Sequence, residues 1–319
     1  MEQGSSIRPF ILTFQQIKKY MNLKHQTIDS QHSIPSDGVI LVNKDSGIRT
    51  TALLNRVKKI LHLKKAGHAG TLDPFAEGLV VVLYGNATKV MEYIGDFKEY
   101  ICTVRLGIIT DTDDPDGNII KQTTVPDFPK EKLEEVLPKF RGKIKQKVPL
   151  YSAIKKDGER LYKKAREGIE IKDLPIRDVY IKKLKLLDFS PPFFVMRCIA
   201  NRGTYMRALA RDIGNSLGYG AHLSKLTRVK VDPYDITDAL KLSDIEEGKL
   251  RVIKLRDALP HLSAITLDEE GVWNFVHGGK VRGFYPEGLY QVKNHLGNLI
   301  GIGRGETYAV QPIKVLYST

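Results

Sequence analysis

Cysteine is nearly absent: the 319-residue chain has two, Cys102 and Cys198. They stand far apart, so no metal-binding or redox spacing exists. Both fall in alternating apolar stretches and read as small buried hydrophobes, which fits a reducing compartment. Long hydrophobic runs are missing as well. No uninterrupted apolar segment approaches the ~20 residues of a membrane helix, and the first thirty residues lack the apolar core and cleavage site of a secretory leader. No His/Asp/Glu cluster has ligand spacing, which leaves a metal-dependent hydrolase without support. The acidic TDTDDPDG at 110–117 starts like a calcium loop, but its fifth ligand position is Pro115 and its twelfth is Gln122, so it reads as a turn between strands. The GIGRG run at 301–305 lacks the spacing and the following helix of a phosphate loop, and reads as turn glycines.

What is present in excess is positive charge. Fifty Lys+Arg against 37 Asp+Glu give +13. Residues 143–166 hold nine Lys/Arg and two Asp/Glu, a balance of +7, and residues 201–230 hold six against one, +5. Two segments carrying nearly all the excess predict a coherent basic surface and a polyanionic partner. Tyr151, Tyr162, Tyr205 and Tyr219 interleave with those cations and offer faces for unstacked bases.

The predicted fold class is α+β: a mixed, mainly antiparallel sheet with flanking helices, followed by a small β-rich domain. VILVN (39–43) and LVVVLY (79–84) read as buried strands, and EYICTVRLG as a half-buried strand alternating over Tyr100, Cys102, Val104 and Leu106. TTALLNRVKKILHL reads as a helix on Leu53, Leu54, Val57, Ile60 and Leu61. KEKLEEVLPKF reads as another on Leu133, Val136, Leu137 and Phe140, distorted at its end by Pro138. RDVYIKKLKLLDF and FFVMRCIA form a hairpin through Ser190-Pro191-Pro192, and GTYMRALARDIGNSLG is a helix stopped by Gly218. After residue 260, AITL, KVRGF, GLYQVK, NLIGIG and YAVQPIKVLY read as short strands separated by glycines. Three divisions result: an extension at 1–37, a core at 38–255 and the small domain at 256–319. In the extension Thr13 and Gln16 form a weak capping box before a short helix on Phe14, Ile17 and Met21. Its one acid before Asp29 and four Lys/Arg keep an organellar transit peptide open, although the cytoplasm is the expected location.

Residues 67–78, GHAGTLDPFAEG, surround one carboxylate, Asp73, with Gly67, Gly70, Pro74 and Gly78. A lone Asp-Pro is most often only a turn. Here Pro74 also pushes Asp73 out of the helical region, and the glycines allow a ligand or a second backbone to come close.

The stretch GHAGTLDPFAEGLVVVLYGNATK resembles the signature of the TruB-type pseudouridine synthases. KEYICTVRLGIITDTDDPDG, VPLYSAIKKDGERLYKKAREG, RGTYMRALARDIG and GYGAHLSKLTR follow in the family's order, so the resemblance covers about residues 37–319. It implies a mixed core around an antiparallel sheet with a small PUA-like RNA-binding domain, isomerisation of uridine 55 in the tRNA T loop, and no cofactor or metal. Residue by residue, it implies Asp73 as the reacting carboxylate and His68 as the group that displaces the base. Tyr100 would stack on the target uracil, Tyr205 and Arg207 would lie beneath the site, Leu226 would line the base pocket, and Lys44 would lie at the substrate side. The family's usual Asp-Lys-Pro is Asn43-Lys44-Asp45 here, and Glu77 stands where a small or hydroxyl residue is common.

Making pseudouridine breaks N1–C1′, turns the uracil, joins C5 to C1′ and releases the C5 proton. That requires a carboxylate beside C1′, a cation to hold it, and a way to evert a base from a folded loop at a cost of a few kcal/mol. Tyr205 and Arg207 face one side if GTYMR enters its helix from an extended segment. Taken singly, each of these side chains has an ordinary reading: a loop histidine, a core tyrosine or leucine, a solvated arginine. Two other functions stay open at this stage. One is a non-catalytic RNA-binding or RNA-folding protein; the other is a guide-dependent synthase subunit. The wording of the Asp73 loop and the short C-terminal part favour a monomer acting on the T stem-loop with no guide RNA.

Overall fold

The alternating apolar segments become strands of one large sheet. The computed structural model describes residues 34–316 apart from 153, 157, 168, 170 and 172, so the short helix expected around residues 14–21 lies outside the described residues. The first strand, β1 (Gly38–Lys44), pairs antiparallel with β3 (Glu77–Tyr84), and β2 (Ala66–His68) pairs with Val82–Tyr84 on the other edge of β3. Their near-continuous apolar runs are explained by burial on both faces. Ile40, Val42, Val80 and Val82 pack under Leu53 and Val57 of α1 (Thr50–Ile60), while Val39, Leu41, Leu79 and Val81 face a second cluster.

The central strands follow in an order that builds the site. After β4 (Phe97–Leu106), β5 (Ile108–Thr110) and β6 (Ile119–Gln122) form a small hairpin whose turn is the acidic TDTDDPDG loop. Helix α2 (Lys130–Val136) gives way to a 3-10 turn at Leu137–Phe140, where Pro138 cannot donate an α-helical hydrogen bond. Next come β7 (Gly142–Lys147), the two-residue strands β8 (Lys155–Lys156) and β9 (Glu159–Arg160), and α3 (Leu161–Arg166). The expected hairpin is β10 (Ile176–Ser190) with β11 (Phe193–Asn201). Tyr205 is extended, at φ −99° and ψ 113°, and immediately caps α4 (Met206–Ser216). After Gly218, at φ +84°, the chain enters β12 (Ala221–Val231). The short β13 (Tyr234–Asp235) and β14 (Leu240–Lys241) and helix α5 (Leu242–Glu246) complete this body.

The sheet order is β14-β1-β3-β12-β4-β11-β10-β7, with β2 and β13 as side pairings. Only β1/β14 and β3/β12 are parallel among its pairs, so the fold is α+β with a mainly antiparallel sheet. Late β12 thus inserts between early β3 and β4. Arg228 comes opposite Gly78 on one side and Tyr100 on the other. Gly78 has φ +112°, and a Cβ there would lie 2.4 Å from the Arg228 carbonyl oxygen. A glycine is therefore required both by conformation and by the close approach of β12.

The C-terminal region differs from the reading of many short strands. β15 (Ser263–Thr266) is followed by a helix the sequence reading did not anticipate, α6 (Glu269–Val276), whose cap Asp268 accepts a hydrogen bond from the Gly271 N–H at 2.8 Å. Two long strands then pair antiparallel, β16 (Val281–Lys293) and β17 (Leu299–Val315). The GIGRG glycines are not turns but strand positions. A Cβ on Gly301 would lie 2.6 Å from the Phe275 ring, and one on Gly303 would lie 2.5 Å from Val310 Cγ2, so the glycines make room for α6 and for the folded-over end of β17. Leu299, Ile302 and Leu316 reach the cluster formed by Val39, Leu41 and Leu259, and so join the small sheet to the main core. Cys102 and Cys198 are both fully buried and unpaired with each other.

Candidate active site

Residues 70–75 are a loop whose backbone carbonyls are all engaged. Arg228, fully buried, donates from Nη2 to the Gly70 oxygen at 3.1 Å, from Nη1 to the Thr71 oxygen at 3.2 Å and from Nε to the Leu79 oxygen at 2.7 Å. Thr50 Oγ1 donates to the Leu72 oxygen at 2.8 Å and accepts from the Leu72 N–H at 3.0 Å. The Ala76 N–H reaches the Asp73 oxygen at 3.2 Å. The Pro74 oxygen accepts from Lys44 Nζ at 3.1 Å and from the Gly47 N–H at 2.8 Å, and the Phe75 oxygen from Ser46 Oγ at 2.6 Å. Two stretches of chain, residues 44–50 and Arg228 of the late strand β12, thus close on this loop and hold the backbone that carries Asp73.

That carboxylate meets Arg207. Nε donates to Oδ2 at 2.9 Å and Nη2 to Oδ1 at 3.3 Å, the forked geometry of a guanidinium on a carboxylate. The Arg207 side chain is 5% exposed and that of Asp73 is 33% exposed, so the pair has a protein side and an open side. Arg207 is itself held. It donates to the Thr112 oxygen at 2.9 Å and the Tyr151 oxygen at 3.0 Å, and Asp114 Oδ2 lies 3.4 Å from Nη1. Asp113 pairs with Arg211 at 2.8 Å, which pins the acidic turn to α4. Burial pushes the Asp113 carboxyl up to about 6, against the pull of Arg211 and Arg207. Gln146, 1% exposed, accepts from the Tyr205 N–H at 2.8 Å and donates to the Tyr205 oxygen at 3.1 Å; this clamp holds Tyr205 extended before α4.

Asp73 opens onto a cavity of about 280 Å³ whose wall includes Tyr100, Tyr205, Arg207 and Leu226, together with Lys98, Tyr151 and Ser152. Burial raises the phenol pKa of both Tyr100 and Tyr205, so both are neutral donors at pH 7. A second cavity, about 510 Å³, lies across the Pro74 turn, with Phe75, Glu77 and Lys225 on its wall, and it shares Leu226 with the first. Glu77 accepts from Thr227 Oγ1 at 2.9 Å, which ties β3 to β12.

Asp73, Tyr100, Tyr205, Arg207 and Leu226 thus share one pocket wall, and two expected site residues do not. Lys44 is fully buried, and its ammonium donates to the Asp45, Ile48 and Pro74 oxygens at 3.1, 2.7 and 3.1 Å, so it anchors the loop rather than meeting a substrate. Burial pushes its pKa down to about 8. His68 sits on β2, half-buried and off the cavity wall; burial and then Arg228 lower its pKa, leaving a neutral ring. The basic segment 201–230 is also less of a surface than its charge suggests. Arg207, Arg211 and Arg228 are turned inward, and Tyr219 stacks on Phe128 at 5.6 Å under Lys132 instead of facing solvent. Sequence reading missed Arg228, Gln146 and the acidic pair Asp113/Asp114. Arg228 had a signal, since it stands two residues from Leu226 on an apolar strand and therefore shares its face.

A carboxylate fixed by arginine at the edge of a pocket, on a sheet where one late strand splits two early ones, fits the pseudouridine-synthase class that the sequence motifs resemble. Solved structures agree on the fold: the "Crystal Structure of a Cbf5-Nop10-Gar1 Complex" matches with TM-score 0.68 at 25% identity, covering 88% of this chain and 85% of that one. A "Structure of H/ACA RNP bound to a substrate RNA containing 2'-deoxyuridine" matches with TM-score 0.66 at 23% identity, over 88% and 85%. The chain belongs to the TruB family. The profile "TruB family pseudouridylate synthase (N terminal domain)" matches residues 58–206, and "tRNA pseudouridylate synthase B C-terminal domain" matches 207–262. Among similar proteins, both named tRNA pseudouridine synthase B, the one from Francisella philomiragia is 39% identical over 85% of this chain and 89% of its own. That from Hydrogenovibrio crunogenus is 39% identical over 79% and 84%. No described helix is long and apolar enough to cross a membrane.

Proposed function

We propose that the chain converts a uridine of tRNA, uridine 55 of the T loop, to pseudouridine, acting in the cytoplasm without a guide RNA. The observation that carries this reading is the Asp73–Arg207 fork at the edge of a pocket of about 280 Å³ walled by Tyr100, Tyr205 and Leu226. In it, Asp73 supplies the carboxylate at C1′ as the N1–C1′ bond opens, and Arg207 holds that carboxylate in one orientation, so little reorganisation accompanies the reaction. Tyr100 stacks on the everted uracil, Leu226 closes the pocket beside it, and Tyr205 assists loss of the C5 proton once C5 has joined C1′. His68, on β2 beside the pocket rather than in it, fills the stack that the target base vacates. Residues 38–255 form the catalytic unit in this reading, and residues 256–319 a PUA-like unit that adds RNA contacts.

The test is incubation of the purified full chain with unmodified tRNA, with no guide RNA added, followed by mapping of pseudouridine at single-nucleotide resolution. Conversion at position 55 alone is expected. Conversion only after a guide RNA and partner proteins are added favours the guide-dependent reading instead, and binding without conversion refutes the enzymatic one.

A further inference from the structure

Lys98 on β4 joins the pocket wall two residues before Tyr100. Successive side chains of a strand alternate, so Lys98 and Tyr100 share a face. The Lys98 ammonium lies against the loop that carries Asp73: a Cβ on Gly70 would stand 2.3 Å from Lys98 Nζ and 3.8 Å from Arg228 Nη1. The charged and titratable groups around it are Arg228 on β12, Arg202 beyond β11 and His68 on β2, none of them an acid. Among the described residues Lys98 has neither an ion-pair partner nor a hydrogen-bond acceptor. Arg228 spends its guanidinium on carbonyl oxygens, and Asp73 is taken by Arg207. Burial, followed by Arg228, pushes the Lys98 pKa down to about 7. Lys98 is half-buried, and a partly desolvated ammonium with no counter-charge beside it is left to solvent or to a ligand in the cavity. Every other internal cation at this site is bonded to the protein: Lys44 to three carbonyls, Arg207 to Asp73 and Asp114, Arg211 to Asp113.

We infer that Lys98 binds an anionic oxygen of the everted nucleotide, a cationic contact separate from the Asp73–Arg207 fork on the same pocket wall. This rests on the reading of the pocket as a uridine site. The nucleotide carries such an oxygen in two places. One is the phosphate flanking the target. The other arises during the reaction: when N1–C1′ breaks, its electron pair leaves with the base, and the negative charge spreads over N1, O2 and O4 of the uracil while Asp73 satisfies C1′. A lysine at either place supplies a charge-assisted hydrogen bond on forming the complex or the transition state.

The experiment compares wild type with Lys98→Met, using a T stem-loop RNA and a second copy bearing a neutral methylphosphonate at the phosphates flanking the target. Binding constants and single-turnover rates are measured on both, with the melting temperature of the free proteins. Conversion of the unmodified RNA by wild type comes first, because its absence sinks the uridine-site reading independently of Lys98. Given that conversion, Lys98→Met is expected to lose about 10- to 100-fold, the scale of a hydrogen bond to a charged group. The melting temperature should be unchanged or higher, because a compensating charge is missing only in the free protein. If the loss is in affinity, and the methylphosphonate weakens wild type but not Lys98→Met, the phosphate is the partner. If affinity holds and the single-turnover rate falls on both RNAs, the partner is the uracil. Affinity and rate both unchanged overturn the inference, and so does a loss that comes with a lower melting temperature and is equal for both RNAs in binding and rate.

Discussion

Two charged groups on the wall of one pocket are treated in opposite ways. The Asp73 carboxylate is matched by Arg207, and Arg207 is held in turn by Asp114, Thr112 and Tyr151. Half-buried Lys98, by contrast, has Arg228, Arg202 and His68 around it and no acid beside it. The first group is organised before any ligand arrives, which is where a reaction gains from electrostatics that need not rearrange. The second is incomplete without a ligand. Such a division puts the rigidity where the bond is broken and leaves the uncompensated charge where the substrate is gripped.

The largest way to break this contrast is to unpair the first group. Arg207→Ala leaves Asp73 and the buried Asp114 without their shared cation. We expect a single-turnover rate at least about 10³-fold lower, and a loss of about 3 kcal/mol of stability, the low end for a broken buried pair because Asp73 is one-third exposed. Kinetics and denaturant unfolding measure both. Arg207→Lys should recover most of the stability and little of the rate, since an ammonium cannot fork. Next in size is Gly78→Ala. Its Cβ has no room at 2.4 Å from the Arg228 carbonyl oxygen, and φ there is +112°. The substitution should cost about 1–3 kcal/mol or more and slow turnover by moving Arg228 off the loop; a melting temperature equal to wild type contradicts that packing.

A gentler test probes the second group through pH. The Lys98 pKa is about 7 in the folded chain and near 10.5 when unfolded, so over that window the unfolded state binds more protons. Stability of the free protein should therefore rise with pH between about 7 and 10.5, and Lys98→Met should flatten part of that rise. Lys44, at about 8, contributes to the same slope and remains in the variant. Urea melts at several pH values give the answer; an unaltered slope means Lys98 does not carry the lowered pKa described. The smallest effect belongs to the surface. Lys143, Lys145 and Lys147 are exposed, unlike the arginines turned into the core. Changing all three to Gln should shallow the log–log salt dependence of tRNA binding by up to about 3, with the single-turnover rate unchanged.

How much of this was legible in the sequence follows the same division. Elements defined by their own residues were readable: α1 by its apolar face, the distorted end of α2 by Pro138, and the β10–β11 hairpin by its prolines. Elements defined by what packs on them were not. Helix α6 is short and lies among glycine-rich strands, and the glycines at 301–305 looked like turns because Phe275, which they accommodate, stands far from them in the chain. At the site, Asp73, Tyr100, Tyr205, Arg207 and Leu226 were singled out and share one pocket wall, whereas residues that hold the surrounding backbone, Arg228 and Gln146, were not. Arg228 looked like surface charge and Lys44 like a substrate contact, because only the crossing of β12 between β3 and β4 reveals that both serve carbonyls of one loop. Gln146 bonds to backbone 59 residues away, for which sequence offers no signal at all.

The most direct measurement is the Asp73→Asn variant, assayed for both product and binding on unmodified tRNA. The isosteric amide keeps the loop's carbonyl contacts, none of which involves the Asp73 side chain. Pseudouridine should vanish while tRNA affinity stays within about tenfold of wild type, because affinity comes chiefly from phosphate contacts. Pseudouridine still formed by the variant at a rate near that of wild type would contradict the assignment of Asp73 as the reacting carboxylate.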